Sequence, residues 1–124
     1  MNLNPSIIQV VGVFFFGGLG ASFRYIISVL YPLSGLSKSG FPYHTLFINI
    51  LGSFLIGLFV TSKTISEPLR PLLIIGLLGG FTTFSSFSFD VVYLVKNGAV
   101  MPAVLYVLLS VLLGILAAVL GMLI

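Results

Sequence analysis

The stretch Gly76–Asp90, GLLGGFTTFSSFSFD, lies in the middle of an apolar segment that runs from about Arg70 to Lys96. It begins with glycines and then places five hydroxyl side chains within seven residues, with phenylalanines between them. A segment that only had to be buried would not need so many hydroxyl groups, because each buried polar group must find a partner. We therefore expect the function of the chain to be organised around this stretch.

The composition around this stretch is that of a membrane protein. Of the 124 residues, 59% are hydrophobic and only 6% are charged, and the mean hydropathy is +1.29. Soluble domains carry about a quarter charged residues, and the alternating polarity of a membrane barrel is not seen here. We predict one all-α domain over residues 1–124, inserted in the cell membrane, with four transmembrane helices of sufficient length. They span about 7–31, 43–62, 71–95 and 99–124.

The rare polar residue types exclude several functions. The chain has no cysteine, one histidine and two acidic residues. These residues cannot form the pair of a nucleophile and a base, or the set of metal ligands, that enzymes use. The net charge of +3 comes from only five basic residues. We interpret these charges as topology signals and not as a nucleic-acid-binding surface.

The basic residues are almost equally divided between the two sides of the predicted membrane domain. Lys63 and Arg70 lie in the second loop, whereas Lys38 and Lys96 lie in the first and third loops on the opposite side. Arg24, near the second end of helix 1, shifts this balance only slightly. Because basic loop residues set orientation, a near tie predicts insertion in both directions and pairing as an antiparallel dimer. The alternative is a small protein with few charges and a single orientation.

The glycines of the third span have two interpretations. Gly79 and Gly80 lie near the bilayer midplane, and a break there would free backbone carbonyls in a region where ions bind to broken helices. We expect the helix to break at this pair. Gly76 and Gly80 also form a GxxxG pattern, which is typical of close helix packing without any break.

Several polar side chains lie within the spans at a cost in free energy. Asn49 either joins helices or offers amide donors to a passing ion. Arg24 faces water or an anion, or its side chain reaches the lipid headgroups. Asp90 is expected to have a role of its own or a partner such as Arg24. Tyr106 and Ser110 are four residues apart, so their hydroxyl groups stack along one face of helix 4.

Two phenylalanines complete the candidate site. Phe84 and Phe87 are three residues apart and share a helix face. The edges of their rings are electropositive, so edges turned toward a pore would stabilise an anion without its water shell. The alternative is ordinary packing between helices.

Three motifs of the chain resemble those of the bacterial fluoride channels, the CrcB or Fluc family. They are GGLGASFRY at residues 17–25, TLFIN at 45–49 followed by GSFLIG at 52–57, and the stretch from 76 to 90. The resemblance extends over all four helices. It implies an antiparallel dual-topology dimer, formed with a second copy or a sister subunit among membrane lipids. Two pores would export fluoride passively, down its electrochemical gradient.

The resemblance also implies roles for individual residues of the pore. Phe84 and Phe87 would be the paired phenylalanines whose ring edges face the ion, and Asn49 would line the pore. Tyr106 and Ser110 would form a polar track on helix 4. Gly114 departs from the family pattern, because a third hydroxyl often completes the track at that position.

Further roles concern the vestibule, the remaining donors and a structural ion. Arg24 would lie near the aqueous vestibule, and the hydroxyl groups of Thr83 or Ser85 would add donors for fluoride. The backbone carbonyls of Gly79 and Thr82 would hold a structural sodium ion at the dimer interface.

The alternative functions are a cation exporter and a subunit without transport activity. A small multidrug exporter also has four helices, but it needs a carboxylate embedded in helix 1, where this chain has Arg24. Asp90 could in principle serve as this carboxylate, but it adjoins a phenylalanine and hydroxyl cluster that suits an anion better. In the fluoride channels this position is often glutamate. In a subunit without transport activity, every polar group would only join helices.

Overall fold

The computed structural model describes residues 6–30 and 40–124, and within this part of the chain all regular structure is helical. Four of its helical stretches are long and apolar enough to cross a membrane, which confirms the predicted number of transmembrane helices. Tyr31, the predicted end of the first span, and Lys38 of the charge count lie outside the described residues. The elements are α1 (Ile7–Leu30), α2 (Tyr43–Thr61), a π-helical segment (Leu72–Leu78), α3 (Gly79–Phe81), α4 (Phe84–Lys96) and α5 (Val100–Met122).

The outer surface of the described helices is largely apolar. Side chains such as Phe14, Leu112 and Ile115 are between 62% and 75% exposed. A helix satisfies its backbone hydrogen bonds internally, so such a surface is stable in hydrocarbon. The buried core is small and lies between the helices, where Leu94, Ala103 and Tyr106 pack together.

Glycines bring α1 against the first half of the third span. A side chain at Gly20 would collide with the backbone carbonyl of Leu77, and one at Gly80 would collide with that of Gly17. Small residues permit this close approach of helix backbones in membranes. Gly76 and Gly80 therefore serve close helix packing, as the GxxxG pattern indicates, although the helix does break further along the chain.

A second set of glycines joins α2 to α5, the pair with the most extensive contact. A side chain at Gly57 would collide with the carbonyl of Ala118, and one at Gly121 would collide with that of Phe54. Close packing at glycines therefore joins α1 to the third span and α2 to α5.

The break lies at Thr82 and Thr83, so its predicted position at Gly79 and Gly80 was wrong. Gly79 has helical dihedral angles (φ −63°, ψ −37°), and α3 extends through Gly80 to Phe81. Thr82 (φ −78°, ψ 159°) and Thr83 (φ −152°, ψ 114°) are extended. Two reasons explain this position of the break. Gly80 must stay helical to keep its close contact with α1, whereas Thr82 and Thr83 are β-branched residues, which favour an extended backbone.

Arg70 organises the second loop by binding the end of α2. Its guanidinium donates to four backbone carbonyls and to the Glu67 carboxylate. A cation at a helix C-terminus neutralises the unpaired carbonyls and the helix dipole there. The bonds run from Nη1 to Phe59 O (2.6 Å) and Val60 O (2.8 Å), from Nη2 to Ser62 O (3.0 Å) and Ile65 O (3.1 Å), and from Nε to Glu67 Oε1 (3.2 Å).

Candidate functional site

Asn49 of α2 holds the break of the third span with both ends of its amide. Its Nδ2 donates to the carbonyl of Thr83 (3.0 Å), and its Oδ1 accepts from the Thr83 N–H (2.8 Å). In an unbroken helix these two backbone groups would pair within the helix. Asn49 therefore replaces the helical partners and makes the extended conformation of Thr83 stable at membrane depth.

The side chain of Thr83 starts the next helix. Its Oγ1 accepts from the Ser86 N–H (3.1 Å), which caps the N-terminus of α4. The same hydroxyl donates to Ser86 Oγ (3.0 Å) and lies 3.3 Å from Ser85 Oγ. Three of the predicted hydroxyl residues are thus gathered at the first turn of α4, where the helix dipole is positive.

Arg24 of α1 supports the break from the other side. Its Nε donates to the carbonyl of Gly80 (3.1 Å), a group that the Phe84 N–H would bond in a continuous helix. Among the described residues Arg24 makes no ion pair with Asp90, so Arg24 is not the partner that Asp90 was expected to have if it lacked a role of its own. Arg24 acts on the backbone of the broken span instead.

A cavity of about 370 Å³ lies beside the break, and we call it the Asn49 cavity. It brings together five of the predicted pore residues from three elements, namely Asn49, Thr83, Phe84, Phe87 and Ser110. Gly79 and Thr82, the predicted sodium-binding residues, also line it. Its other polar lining residue is Ser53, and its remaining lining residues are Gly52, Ile56, Ile74, Leu78 and Val111.

A second cavity of about 600 Å³ shares the lining residue Thr83 with the first, and we call it the Arg24 cavity. Arg24, His44, Ser85 and Asp90 line it, together with Thr83, which also lines the Asn49 cavity. The predicted residues are therefore divided between two cavities. Thr83, held by Asn49, lines both of them.

The two phenylalanines share a face, as predicted, but they differ in their surroundings. Their ring centroids are 5.6 Å apart at an interplanar angle of 38°. Phe87 also packs on the ring of Tyr106, with centroids 5.2 Å apart. Phe84 is 80% exposed. One ring is therefore fixed by the core, while the other projects from the chain at the edge of the Asn49 cavity.

The two hydroxyl residues of the predicted track on α5 have different environments. Tyr106 is fully buried (0% exposed), and its hydroxyl donates to Asp90 Oδ2 (3.1 Å). Thr45 interacts with both side chains. Ser110 Oγ is buried without a hydrogen-bond partner among the described residues. Ser110 thus lines the Asn49 cavity with an unused donor. The Tyr106 donor is already committed to Asp90, a pairing that the sequence did not reveal.

The carbonyl of Gly79 has lost its usual partner. In a continuous helix it would accept from the Thr83 N–H, which here donates to Asn49 Oδ1. The described residues contain no cluster of acidic, histidine or cysteine side chains that could hold a metal ion. A cation at the break would therefore depend on backbone carbonyls, the hard oxygen ligands that also suit Na⁺ in broken helices.

Comparison with known proteins gives one consistent family. Residues 11–122 match the family described as CrcB-like protein, Camphor Resistance (CrcB). The chain is similar to a fluoride-specific ion channel FluC of Rhodopseudomonas palustris, with 48% identity over 101 residues, 77% of this chain and 79% of that protein. It is 46% identical to the protein of the same name from Ruegeria over 120 residues, 94% of each chain. A third, from Ruminiclostridium cellulolyticum, is 45% identical over 119 residues, 92% of this chain and 89% of that protein.

Proposed function

This chain belongs to the CrcB family and is a fluoride channel of the cell membrane, and we propose that fluoride crosses the membrane through the Asn49 cavity. It is a transporter and not an enzyme, and the cation-exporter alternative finds no support among its relatives. One observation carries the proposed path. Asn49 bonds the broken backbone of the third span, and a cavity lined in part by amide and hydroxyl side chains lies beside that break.

The donors around this cavity match the chemistry of fluoride. Fluoride is small and strongly hydrated, so a pore must replace its water molecules with a dense set of donors. The Asn49 amide nitrogen carries two N–H groups, and Thr83 O accepts only one of them. Ser110 Oγ has an unused hydroxyl donor. The positive end of α4 at Phe84 adds favourable backbone dipoles for an anion.

Phe84 and Phe87 complete the path with ring edges, which carry positive partial charge. Phe87 lines the Asn49 cavity and packs against Tyr106, so in the proposed path it would present a ring edge whose position is fixed. Tyr106 packs against this ring, and its hydroxyl donates to the Asp90 carboxylate. Tyr106 would therefore contribute to the path only indirectly. Arg24, Thr83 and Ser85 border the Arg24 cavity, which would serve as the aqueous vestibule at one end of the path.

Transport along such a path is passive. The fixed donors bind an anion without any chemical step, so the gradient of fluoride and the membrane potential determine the direction of flow. Export follows whenever fluoride accumulates in the cytoplasm. Because chloride is larger, a narrow cavity lined by donors admits it poorly.

The exposed surface at the break supports a dimer. Phe84 is 80% exposed at the edge of a polar cavity, a position that a second chain would cover. The near balance of basic residues across the membrane favours an antiparallel arrangement of the two copies. Such a dimer has two equivalent paths, one for each break, and a sister subunit would fit the same surface.

The break also offers ligands for a structural sodium ion. The Gly79 carbonyl is released from its helical donor by the Asn49 bond, and both Gly79 and Thr82 face the Asn49 cavity. These two carbonyls lie at the C-terminal, negative end of the first half of the span. They would hold Na⁺ where two copies meet. The ion would then be bound by the carbonyls at the breaks of both copies.

A fluoride-electrode assay tests the proposed function. Purified protein is reconstituted in liposomes loaded with fluoride, and efflux is started by a potassium ionophore that dissipates the membrane potential. We expect rapid fluoride efflux and little chloride efflux from matched chloride-loaded liposomes. Chloride efflux as fast as fluoride efflux, or proton-driven uptake of a lipophilic cation without any fluoride efflux, would contradict the proposal.

A further inference from the structure

Ser53 of α2 has a position in the Asn49 cavity that none of the predicted roles uses. Its hydroxyl donates to the backbone carbonyl of Asn49 (2.7 Å), one turn earlier on the same helix. It lines the same cavity as Asn49 and Ser110. The hydroxyl therefore lies on the wall of the proposed fluoride path.

Gly114 of α5 is the residue directly opposite this hydroxyl. A Cβ atom built on Gly114 would lie 3.6 Å from Ser53 Oγ, and no other atom would lie within 4 Å. Gly114 follows Ser110 by one helical turn, so it continues the same face of α5. At the level of Gly114, α5 therefore contributes no side chain to the wall of the path, and the nearest polar group is the Ser53 hydroxyl of α2.

We infer that Ser53 contacts fluoride and supplies the hydroxyl donor at the level of Gly114, which extends the polar wall beyond Ser110. The inference rests on the proposed path through the Asn49 cavity. Asn49, Ser53 and Ser110 then form one row of donors built from two helices. Gly114 is compatible with transport because Ser53 on the facing helix supplies the hydroxyl group that residue 114 lacks.

The hydrogen bond that Ser53 makes at rest does not prevent this role. A serine hydroxyl bonded to the carbonyl four residues earlier shares that carbonyl with the helical N–H of its own residue. When the hydroxyl rotates toward an ion, the carbonyl of Asn49 keeps its helical partner. The rotation leaves no buried group unpaired, and the hydroxyl exchanges a neutral acceptor for a charged one, which forms the stronger bond.

A transfer of the hydroxyl from α2 to α5 tests the inference. S53A removes the donor, and S53A/G114S places a hydroxyl on the opposite helix, carried by a β-carbon that lies 3.6 Å from the original oxygen position. S53A/G114A adds the same β-carbon without the hydroxyl and is the matched control. The ordinary spacing of 3.6 Å at Gly114 accommodates either side chain. Each protein is first checked for a single symmetrical peak in size-exclusion chromatography.

Fluoride efflux from liposomes is the measurement. We expect S53A to reduce the rate by about tenfold, the effect of losing one hydrogen bond to a charged group. S53A/G114S should recover most of the wild-type rate, and S53A/G114A should remain as slow as S53A. If S53A does not give a single peak, S53C replaces it, because a thiol keeps the shape but donates weakly.

The outcomes distinguish this inference from the proposed function. Wild-type rates in S53A, or equal recovery by both double variants, would overturn the role of Ser53 while the wild-type protein still conducts fluoride. A wild-type protein that does not release fluoride at all would remove the proposed function, and this inference would fall with it.

Discussion

Asn49→Ala is the substitution that most directly tests how the break is held. It removes both hydrogen bonds to the Thr83 backbone, of 3.0 and 2.8 Å. A typical hydrogen bond contributes about 0.5–1.5 kcal/mol in net terms, and those between membrane helices average about 0.6 kcal/mol. Two such bonds amount to about 1–3 kcal/mol of the free energy of unfolding. The same change removes an amide donor from the proposed path, so fluoride efflux should also fall.

The assay combines two readouts on the same purified proteins. Unfolding is followed in mixed detergent micelles as the fraction of denaturing detergent rises, and fluoride efflux is measured in liposomes. Thr61→Ala is the matched control on the same helix, because Thr61 Oγ1 donates only to the backbone of its own helix, at Gly57 O (3.1 Å) and Leu58 O (3.4 Å). We expect Thr61→Ala to leave both readouts close to those of the wild type.

Two results would refute this reasoning. If Asn49→Ala unfolds at the same detergent fraction as Thr61→Ala, the amide does not hold the break. If it conducts fluoride at the wild-type rate, Asn49 is not part of the path.

Three further predictions follow from the same contacts. Phe84→Ile and Phe87→Ile should each reduce fluoride efflux strongly while the protein still assembles, and full conduction by both would remove the role of the ring edges. Gly80→Ala should destabilise the fold by about 1–3 kcal/mol, because its methyl group collides with the backbone of α1. Gly79→Ala is its mild control, since no atom lies nearer than 3.9 Å to a β-carbon at that position. Equal unfolding profiles for the two variants would contradict this packing. Arg70→Lys should lower stability by about 1–2 kcal/mol, since lysine lacks the planar fork that bonds the end of α2, and unchanged unfolding in detergent would show that this cap is dispensable.

The four spans were predictable because their signal is local. Each is a run of apolar residues long enough for the membrane, and helix formation in hydrocarbon needs no partner from elsewhere in the chain. The predicted second span, 43–62, differs by one residue from Tyr43–Thr61, and the last, 99–124, from Val100–Met122 by one to two residues. Hydropathy alone defines such elements.

The position of the break was not predictable from the glycines. Gly79 and Gly80 permit a break, but Gly80 is used for contact with α1. The actual break depends on a bond between residues 34 positions apart, Asn49 and Thr83, which no local pattern reveals. A weaker local signal was present, because Thr83 followed three residues later by Ser86 fits a helix N-cap.

The candidate site shows the same division between local and distant information. Asn49, Thr83, Phe84, Phe87 and Ser110 were recognisable by residue type, and the structure places them around one cavity. Their partners were not recognisable. Asp90 binds Tyr106 and Arg24 binds a backbone carbonyl, so the charged side chains in the spans have neutral partners from other helices.

Selective passive conduction of fluoride is tested most directly by the zero-current potential of a planar bilayer that contains the purified protein. With a tenfold fluoride gradient and equal chloride on both sides, we expect a potential of about 59 mV, the value for one monovalent ion. Replacing chloride by a large impermeant anion on one side should not change this potential. A potential near zero, or one that follows the chloride gradient, would show that the protein is not a fluoride-selective channel.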